Sequence, residues 1–176
     1  MHSVRLRPIA EGDLTAFETA FQRPDGAGVH QWFGYWTAHR FRDNLQKRGL
    51  LAGPENMLAI EVDGDLVGRV DWMERYWGPA DTSQCWEIAV GVLPEHRGKG
   101  IGAQAQQQLL DYIFAHTRAE RIQATAHPDN KPEIRCLEKA GMSLEGRIRR
   151  AQWRDGRWHD QLLFSILRQE HETNRR

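Results

Sequence analysis

The sequence of 176 residues lacks the features that mark several specialised classes of protein. It has two cysteines, Cys85 and Cys136, outside any CxxC or Cys/His spacing, so neither a disulfide framework nor a metal site is expected. Lys plus Arg and Asp plus Glu both number 24, and this balance leaves no net field to attract nucleic acid or an acidic membrane. The apolar runs fall far short of the roughly 20 residues that span a bilayer. We therefore expect a cytoplasmic protein with free thiols and without nucleic-acid or membrane partners.

What the sequence does contain is an alternation between segments with the period of strands and segments with the period of helices. Two Asp-Gly pairs, at 63–64 and 155–156, each separate two apolar runs and predict tight β-hairpins. Asp13 is the predicted N-cap of a helix near Leu14–Phe21. The predicted order is a strand, two helices, three strands, a helix, a strand, a helix and two strands. This order indicates an α/β (α+β) fold in a single domain over residues 1–170, followed by a polar tail at 171–176.

The most informative segment is EHRGKGIG, from Glu95 to Gly102, which lies between a predicted strand and a strongly periodic helix. Its three glycines let backbone amides approach a ligand without interference from a Cβ atom. The helix that follows presents unpaired N–H groups and the positive end of its dipole. Together these features predict a site for an anion, and a pyrophosphate fits it best.

Three phosphate-binding patterns compete for this segment. A P-loop needs a Ser or Thr after a Gly-Lys pair, and none is present here. A dinucleotide site needs GxGxxG, whereas the spacing here is GxGxG. The pattern Arg-x-x-Gly-x-Gly is satisfied by Arg97, Gly100 and Gly102. A plain glycine-rich turn with a solvated Arg97 and Lys99 is the remaining alternative.

This pattern resembles the phosphate loop of the GNAT family of acyl-CoA-dependent N-acyltransferases. The resemblance extends to Trp86–Val90 before the loop and to Asn130 and Glu138–Met142 after it. The ending EGRIRRAQWRDGRWHDQLLFSIL is similar to the branch that contains ribosomal-protein N-terminal acetyltransferases and relatives acting on small amines. The resemblance implies a central twisted mixed sheet of about seven strands, splayed between the fourth and fifth, and flanked by about four helices.

The resemblance also implies that acetyl-CoA is the cofactor. The pantetheine arm would bond to the fourth strand and to Asn130, and the pyrophosphate would lie on the loop amides. Asn130 has a simpler alternative as an ordinary helix N-cap, because Asn is favoured there. The implied cofactor-binding residues are Val90, Gly91, Val92, Arg97, Gly98, Lys99, Gly100, Ile101, Gly102, Ala103 and Asn130.

Acyl transfer to an amine needs a base that removes a proton from the amine. The reaction is also helped by a group that donates a proton to the leaving thiolate. Glu87 is the candidate base, since the family places this strand beside the thioester; the alternative is a structural partner of an Arg or backbone group. Leu137 stands where many members carry the donor Tyr, and Glu133 stands where the ribosomal-protein branch has Ser. The sequence therefore names no thiolate donor. Cys136 lies nearby, and packing is the expected role of a free cysteine on a helix.

Tryptophans are the candidates for binding the amine that accepts the acetyl group. Seven of them in 176 residues is a high number. The ordinary interpretation is packing in the core and at its rim. The alternative is an aromatic pocket with an anionic side for a cationic amine. The candidate acceptor residues are Trp32, Trp36, Asp71 and Trp72.

The function predicted from these features is transfer of an acetyl group from acetyl-CoA to a primary amine, by direct attack in a ternary complex. The amine would be a small molecule or a peptide N-terminus. A non-catalytic acyl-CoA-binding module and an acyltransferase that uses a larger acyl-CoA, such as succinyl-CoA, remain as alternatives. A homodimer is expected, because tryptophans near the loops and the hairpin at 155–156 would leave apolar surface on a monomer.

Overall fold

The structure is a computed structural model that describes residues 3–175. Within that range no helix is long and apolar enough to cross a membrane. A 3₁₀ turn at Pro94–His96 follows the fourth strand. The helices and strands are, in chain order, β1 (Val4–Pro8), α1 (Glu11–Ala20), α2 (Pro24–Ala27), α3 (His39–Arg48), β2 (Glu55–Val62), β3 (Asp65–Tyr76), α4 (Ala80–Ser83), β4 (Gln84–Val92), α5 (Ile101–His116), β5 (Arg121–Ala126), α6 (Lys131–Lys139), β6 (Ser143–Arg154), β7 (Arg157–Leu167) and α7 (Arg168–Asn174).

The strands form one mixed sheet of seven strands in the order β1-β2-β3-β4-β5-β7-β6. β4 and β5 are parallel, and β7 runs antiparallel to both β5 and β6. The parallel register joins Trp86 to Ile122 and Glu87 to Gln123. Of the residues described, the next two on β4, 88 and 89, have no β5 partner in this register. The mixed sheet and the early end of this pairing confirm the predicted fold class and its splay.

Both predicted hairpins are present. Asp63 and Gly64 connect β2 to β3 with φ angles of 53° and 93°. Asp155 and Gly156 connect β6 to β7 with φ angles of 50° and 71°. Two successive residues with positive φ form the turn type whose twist matches that of the flanking strands, which is why the Asp-Gly pairs predicted these positions.

The helices differ from the prediction in number and in one cap. The described residues contain seven helices rather than about four, and the additional α2 and α4 have four residues each. Asp13 is not the N-cap of α1, because the helix begins at Glu11. The Asp13 carboxylate instead accepts a hydrogen bond from the Ala10 N–H at 2.8 Å and forms an ion pair with Arg7 at 2.6 Å. A carboxylate in the first turn satisfies free N–H groups as a cap does, so the sequence signal was displaced by three residues.

The C-terminal segment was expected to be a polar tail from residue 171. In the structure it continues as α7, and His171 is buried there. The His171 ring stacks on Phe114 with 4.8 Å between ring centroids, and its Nε2 lies 3.1 Å from Asp111 Oδ1. Contacts with α5 therefore hold in a helix most of the segment that was predicted to be a polar tail.

Contacts between Cα atoms divide the chain into two compact units. The first unit runs up to Trp72 and also includes Val90–Ala105; the second consists of Met73–Ala89 and the chain from Gln106 onward. The core of the first unit consists of Ile9, Leu14, Phe17, Phe21, Ala38, Leu50, Met57, Ala59 and Leu93. The largest fully buried side chains of the second unit are Leu109, Leu110, Ile113, Ile122, Leu137, Phe164, Ile166 and Gln106.

Candidate functional site

The glycine loop between β4 and α5 lies in the first unit. Gly98 and Gly100 have φ angles of 75° and 77°, a region that other residues enter only with strain. A Cβ atom placed on either glycine would have no heavy atom within 4 Å. The glycines therefore allow the turn itself, and the surface beside them is open to a ligand.

The first turn of α5 carries the amides that such a ligand would use. The N–H of Gln104 donates to the Gly100 carbonyl at 3.2 Å, and this is the first bond of the helical pattern. The N–H groups of residues 101–103 precede that bond and have no partner one turn back within the helix. Together with the positive end of the helix dipole, they fit the pyrophosphate of a coenzyme.

Arg97 supports this loop through its side chain. Its Nε donates to the carbonyl of Val92 at 2.8 Å. Its Nη1 and Nη2 donate to the carbonyls of Asp25 and Gly26 at 2.8 and 2.5 Å. Lys99 Nζ similarly donates to the carbonyl of Glu95 at 3.0 Å. Both cations of the loop are thus engaged by backbone carbonyls of the protein itself.

A glycine on β3 shapes the end of β4. A Cβ atom on Gly68 would lie 2.3 Å from the carbonyl oxygen of Gly91 and 3.0 Å from the Cα of Val92. No side chain fits there, so Gly68 permits the close approach of the two backbones at the strand expected to bind pantetheine. Sequence reasoning missed Gly68, although an isolated glycine inside a strand pattern is the signal that could have found it.

Glu87, the candidate base, belongs to the second unit and is already bonded. Its Oε2 accepts from Arg75 Nε and from Gln123 Nε2, each at 3.1 Å. Its side chain is 19% exposed. Because successive side chains of a strand point to opposite faces, the neighbours Trp86 and Ile88 lie on the other face of the sheet from Glu87. Glu87 is therefore a half-buried, ion-paired carboxylate.

The contacts of Glu87 continue along β5. Gln123 Oε1 accepts from the indole N–H of Trp77 at 3.0 Å. Arg121, two residues earlier on the same face, binds Glu145 at 2.5 and 2.7 Å, and the Ser165 hydroxyl donates to Glu145 at 2.6 Å. The Arg121 and Ser165 hydrogen bonds lower the pKa of Glu145 to about 2. Sequence reasoning missed this polar cluster, because its members come from strands that are distant in the chain.

Asn130 caps α6 in the second unit. Its Oδ1 accepts from the Glu133 N–H at 3.4 Å, and its own N–H donates to the carbonyl of His127 at 2.8 Å. The N-cap that the sequence analysis gave as the alternative role of Asn130 is therefore present. Because the cap uses the side-chain oxygen, the Nδ2 amide group is the part of Asn130 suited to a ligand.

In the first turn of α6, Glu133 forms a partly buried polar pair with Gln106 of α5. Gln106 Nε2 donates to Glu133 Oε1 at 2.5 Å. Burial raises the pKa of Glu133, and the hydrogen bond from Gln106 acts in the opposite direction. Leu137, one turn further, is fully buried and carries no proton to donate.

The two cysteines are free thiols, and both have raised pKa values. Burial is the main cause for each, and the nearby Glu133 adds to the effect at Cys136. A thiol held in its neutral form is a poor nucleophile. The environment of Cys136 thus favours the packing role that the sequence analysis expected.

Three of the four candidate acceptor residues are engaged inside the first unit. Trp72 is 4% exposed, which makes it a core residue. The Arg69 guanidinium lies 5.3 Å from the centre of the Trp36 ring, and its Nε lies 3.3 Å from Asp71 Oδ2. Burial raises the pKa of Asp71, whereas the charge of Arg69 lowers it. Asp71 is thus paired with a cation of the protein itself.

Trp32 is the fourth candidate and differs from the other three. It is half-buried and packs edge-on against Tyr35, with 5.8 Å between ring centroids. Tyr35 is 85% exposed. A separate cleft of about 580 Å³ in the first unit is lined by Glu18, Gln22, Gly26 and Glu95 among others, and Trp32 does not line it.

The order of strands, the glycine loop and the cap of α6 agree with one family. A family model described as the acetyltransferase (GNAT) domain matches residues 3–143. The chain belongs to the GNAT acetyltransferase family. Among residues 3–175, no group of three His, Cys, Asp or Glu side chains is arranged to hold a metal ion.

Curated relatives resemble the chain over different extents. The spermidine N(1)-acetyltransferase of Escherichia coli (strain K12) is 24% identical over 181 residues, covering 98% of this chain and 92% of that protein. The probable N-acetyltransferase YjcK of Bacillus subtilis (strain 168) is 38% identical over 110 residues, 62% of this chain and 59% of that protein. The uncharacterized N-acetyltransferases YnaD and YokL of the same organism are matched over 59% and 64% of their lengths. The chain thus spans less than two thirds of the length of several relatives.

Solved structures with the same fold include a spermidine N-acetyltransferase from Vibrio cholerae in complex with CoA and spermine. It has a TM-score of 0.80 and 22% identity, and the match covers 96% of this chain and 98% of that one. An acetyltransferase of the GNAT family from Bacillus anthracis has a TM-score of 0.74 and 23% identity, with coverage of 96% and 99%. At this identity the likeness establishes the shared GNAT fold.

Proposed function

We propose that the protein is an N-acetyltransferase that moves the acetyl group of acetyl-CoA to a primary amine. The observation that carries this proposal is the glycine loop at the start of α5, with positive φ at Gly98 and Gly100 and open space beside both. Membership of the GNAT family supports the same reaction. The relatives named for spermidine acetylation favour a small-molecule amine over a peptide N-terminus.

The cofactor is proposed to bind along residues of both the loop and β4. The amides of residues 98–103 would hold the pyrophosphate, and the backbone of Val90–Val92 together with Asn130 would hold the pantetheine arm. When bound, acetyl-CoA supplies an acetyl group activated as a thioester. Arg97 holds the loop in shape by bonding three carbonyls, so its contribution to binding is indirect.

Glu87 is the proposed general base in a ternary complex. An amine attacks a thioester only as the free base, so a carboxylate that takes up its proton accelerates the reaction. Arg75 Nε lies 3.1 Å from Glu87 Oε2 and holds that carboxyl group in place. Gln123, bonded to the same oxygen, fixes its orientation.

Trp32 is the proposed acceptor contact that is most accessible to a substrate, because it lies in the loop before α3 beside the exposed Tyr35. A cationic amine is attracted to the face of an indole ring. Asp71 and Trp36 are assigned a supporting role, since Arg69 already contacts both.

The reaction is tested by release of free thiol from acetyl-, propionyl- and succinyl-CoA across a panel of amines that includes polyamines, amino acids and short peptides. We expect the highest rate with acetyl-CoA and a small cationic amine. Tight CoA binding without thiol release would instead favour a non-catalytic acyl-CoA-binding module. A preference for succinyl-CoA would instead favour an acyltransferase that uses a larger acyl-CoA.

The protein is also proposed to be a cytoplasmic homodimer. The hairpin of β6 and β7 exposes two tryptophans, Trp153 and Trp158, at 56% and 54%. Their rings pack edge-on with 5.5 Å between centroids, and a two-fold contact would cover this pair on both subunits. Light scattering at micromolar protein is expected to give twice the 20.4 kDa mass of the chain. A mass of one chain would contradict the dimer, and Trp153→Lys should dissociate it.

A further inference from the structure

The side chain of Arg97 leaves the glycine loop and reaches α2, which is distant in sequence. Its Nη1 donates to the carbonyl of Asp25 at 2.8 Å, and its Nη2 donates to the carbonyl of Gly26 at 2.5 Å. Its Nε donates to the carbonyl of Val92, at the end of β4, at 2.8 Å. One rigid guanidinium group therefore joins three backbone carbonyls from two segments of the first unit.

The short helix α2 depends on contacts of this kind. It has only four residues, and a single helical turn is not stable by itself in water. The last carbonyls of a helix have no partner within it, and a cation beside them is favourable. The guanidinium of Arg97 supplies both the donors and the charge at this end of α2. Loss of that side chain should therefore release α2 from its position.

A second contact fixes α2 against the end of α1. A Cβ atom on Gly26 would lie 1.6 Å from the carbonyl oxygen of Ala20, so only glycine allows this approach. Gly26 is also buried. The helix α2 is thus held by two contacts, one with α1 and one with Arg97, and each of them can be removed by a separate mutation.

The segment that follows α2 carries the proposed amine contact. Residues 28–38, which we call the aromatic loop, contain no helix or strand and include Trp32 and Trp36. The far end of this loop is held by Gln22, whose Nε2 donates to the Trp36 carbonyl at 2.8 Å. Its near end begins directly after α2, so the position of α2 sets the direction in which the loop starts. Arg97 therefore acts on the aromatic loop through α2.

The same side chain belongs to the proposed coenzyme site. Arg97 immediately precedes Gly98, and the amides of residues 98–103 are proposed to hold the pyrophosphate. A bound pyrophosphate would fix the backbone of the glycine loop, and with it the Cα atom from which the Arg97 side chain extends. Fixing that atom lowers the entropy cost of holding the guanidinium on α2. Coenzyme binding and the position of the aromatic loop are then linked through one side chain.

We propose that Arg97 is a positioning residue for the aromatic loop, through which coenzyme A bound to the glycine loop raises the affinity of the protein for its amine. In this role Arg97 contacts neither the thioester nor the amine. It holds α2, and α2 holds the start of the loop that carries Trp32. Because linkage is reciprocal, a bound amine raises the affinity for coenzyme A by the same factor. This inference rests on the proposed acetyltransferase function.

The first test measures hydrogen–deuterium exchange without and with saturating coenzyme A, and it needs no amine. In the wild type, coenzyme A should slow exchange in residues 98–103 and also in residues 25–38, the latter by about fivefold or more, the lower end of typical coupling factors. Arg97→Met removes the three donors, so coenzyme A should then protect only residues 98–103. Arg23→Met is the matched control, because Arg23 is an exposed cation beside α2 that pairs with Asp25 at 2.6 Å.

Two further variants separate this link from general damage to the fold. Gly26→Ala displaces α2 from the end of α1 without altering the glycine loop, so it should also abolish the protection of the aromatic loop. Arg97→Lys keeps a cation that can donate to a carbonyl but lacks the fork of Arg, so it should retain part of that protection. Circular dichroism shows whether each variant is folded.

The second test is the kinetics with the amine that reacts fastest in the thiol-release panel. Arg97→Met is expected to raise the KM for this amine about tenfold and to leave kcat within about threefold, the pattern of lost binding without lost chemistry. Arg23→Met should leave both parameters unchanged. A lower kcat together with a lower Tm in Arg97→Met would make Arg97 a structural residue only and would contradict the proposal.

The outcomes distinguish this inference from the proposed function. If coenzyme A leaves exchange in the aromatic loop of the wild type unchanged, or slows it equally in a folded Arg97→Met protein, Arg97 does not position the loop. Loss of coenzyme A binding in that variant would place Arg97 in the coenzyme site instead. If the wild type binds coenzyme A but acetylates no amine, the transfer reaction fails, and the exchange data still decide the role of Arg97. A wild type that binds no coenzyme A overturns both.

Discussion

The glycine loop at 98–103 and the polar cluster around Glu87 are both candidate parts of the site, but they are built in opposite ways. The loop presents backbone amides, and the cations beside it are occupied by carbonyls. The cluster consists of side chains from three strands: Arg75 on β3, Glu87 on β4 and Gln123 on β5. A backbone site depends on the absence of Cβ atoms, whereas a side-chain site depends on charge and pH. The two regions should therefore fail under different mutations.

The largest expected effect is at the loop. Gly100→Val adds a branched side chain at φ 77° and distorts the turn that aims the amides, so we expect coenzyme A binding to be abolished while the protein stays folded. Calorimetry measures the affinity. Gly64→Val, at φ 93° in the β2–β3 turn, is the control: it imposes comparable strain and should keep coenzyme A binding. Wild-type affinity in a folded Gly100→Val protein would remove the basis for the loop site.

The second effect concerns the carboxylate cluster. Glu87→Gln is expected to lower kcat by about 10²-fold, because the amine then loses its proton without a base. The loss should shrink as the pH rises, since the free amine becomes abundant in solution. A pH-rate profile of both proteins measures this difference, with the exposed Glu172→Gln as the control. A loss of the same size at every pH, together with a lower Tm, would instead make Glu87 a structural partner of Arg75.

The third effect tests whether the close packing of β3 against β4, the strand before the glycine loop, supports coenzyme A binding. Gly68→Ala places a Cβ atom 2.3 Å from the Gly91 carbonyl oxygen, so β3 or β4 has to shift. We expect a loss of about 1–3 kcal/mol in the free energy of unfolding, the usual scale of overpacking, and weaker coenzyme A binding. Gly12→Ala is the matched control, since its Cβ atom would meet nothing within 4 Å. Equal stability of the two variants would contradict the close approach of the strands.

The smallest effect is on acid stability. The pKa of Glu145 is lowered from its ordinary value of 4.5 to about 2 in the folded protein. Its ion pair with Arg121 therefore stabilises the fold above about pH 4.5, and this stabilisation is lost as the pH falls towards 2. Because the Glu145 side chain is 39% exposed, water screens the pair and the contribution is about 1 kcal/mol or less. Urea unfolding of Glu145→Gln should show this loss at about pH 7 and little of it near pH 2. A difference that grows on acidification would contradict the assignment.

The features that sequence reasoning recovered are local in the chain. The Asp-Gly hairpins and the Asn130 cap each depend on residues within a few positions of one another. The short helices α2 and α4 carry too few residues to show a period. The ordered α7 was missed because its burial depends on Phe114 and Asp111, which are distant in sequence.

The sequence by itself determined the glycine loop. The freedom of glycine to adopt positive φ is a property of a single residue, and the backbone N–H groups at the start of the following helix are present whatever side chains that helix carries. Only the tertiary structure decided what surrounds the ionisable groups. It placed Arg75 and Gln123 on Glu87, Arg69 on Asp71, and a buried amide on Glu133. The charge state of a carboxyl group depends on its distance from other charges and from water, and neither distance can be read from neighbours along the chain. For that reason the backbone part of the site was predictable, whereas the pairing of one glutamate and the burial of the other were not.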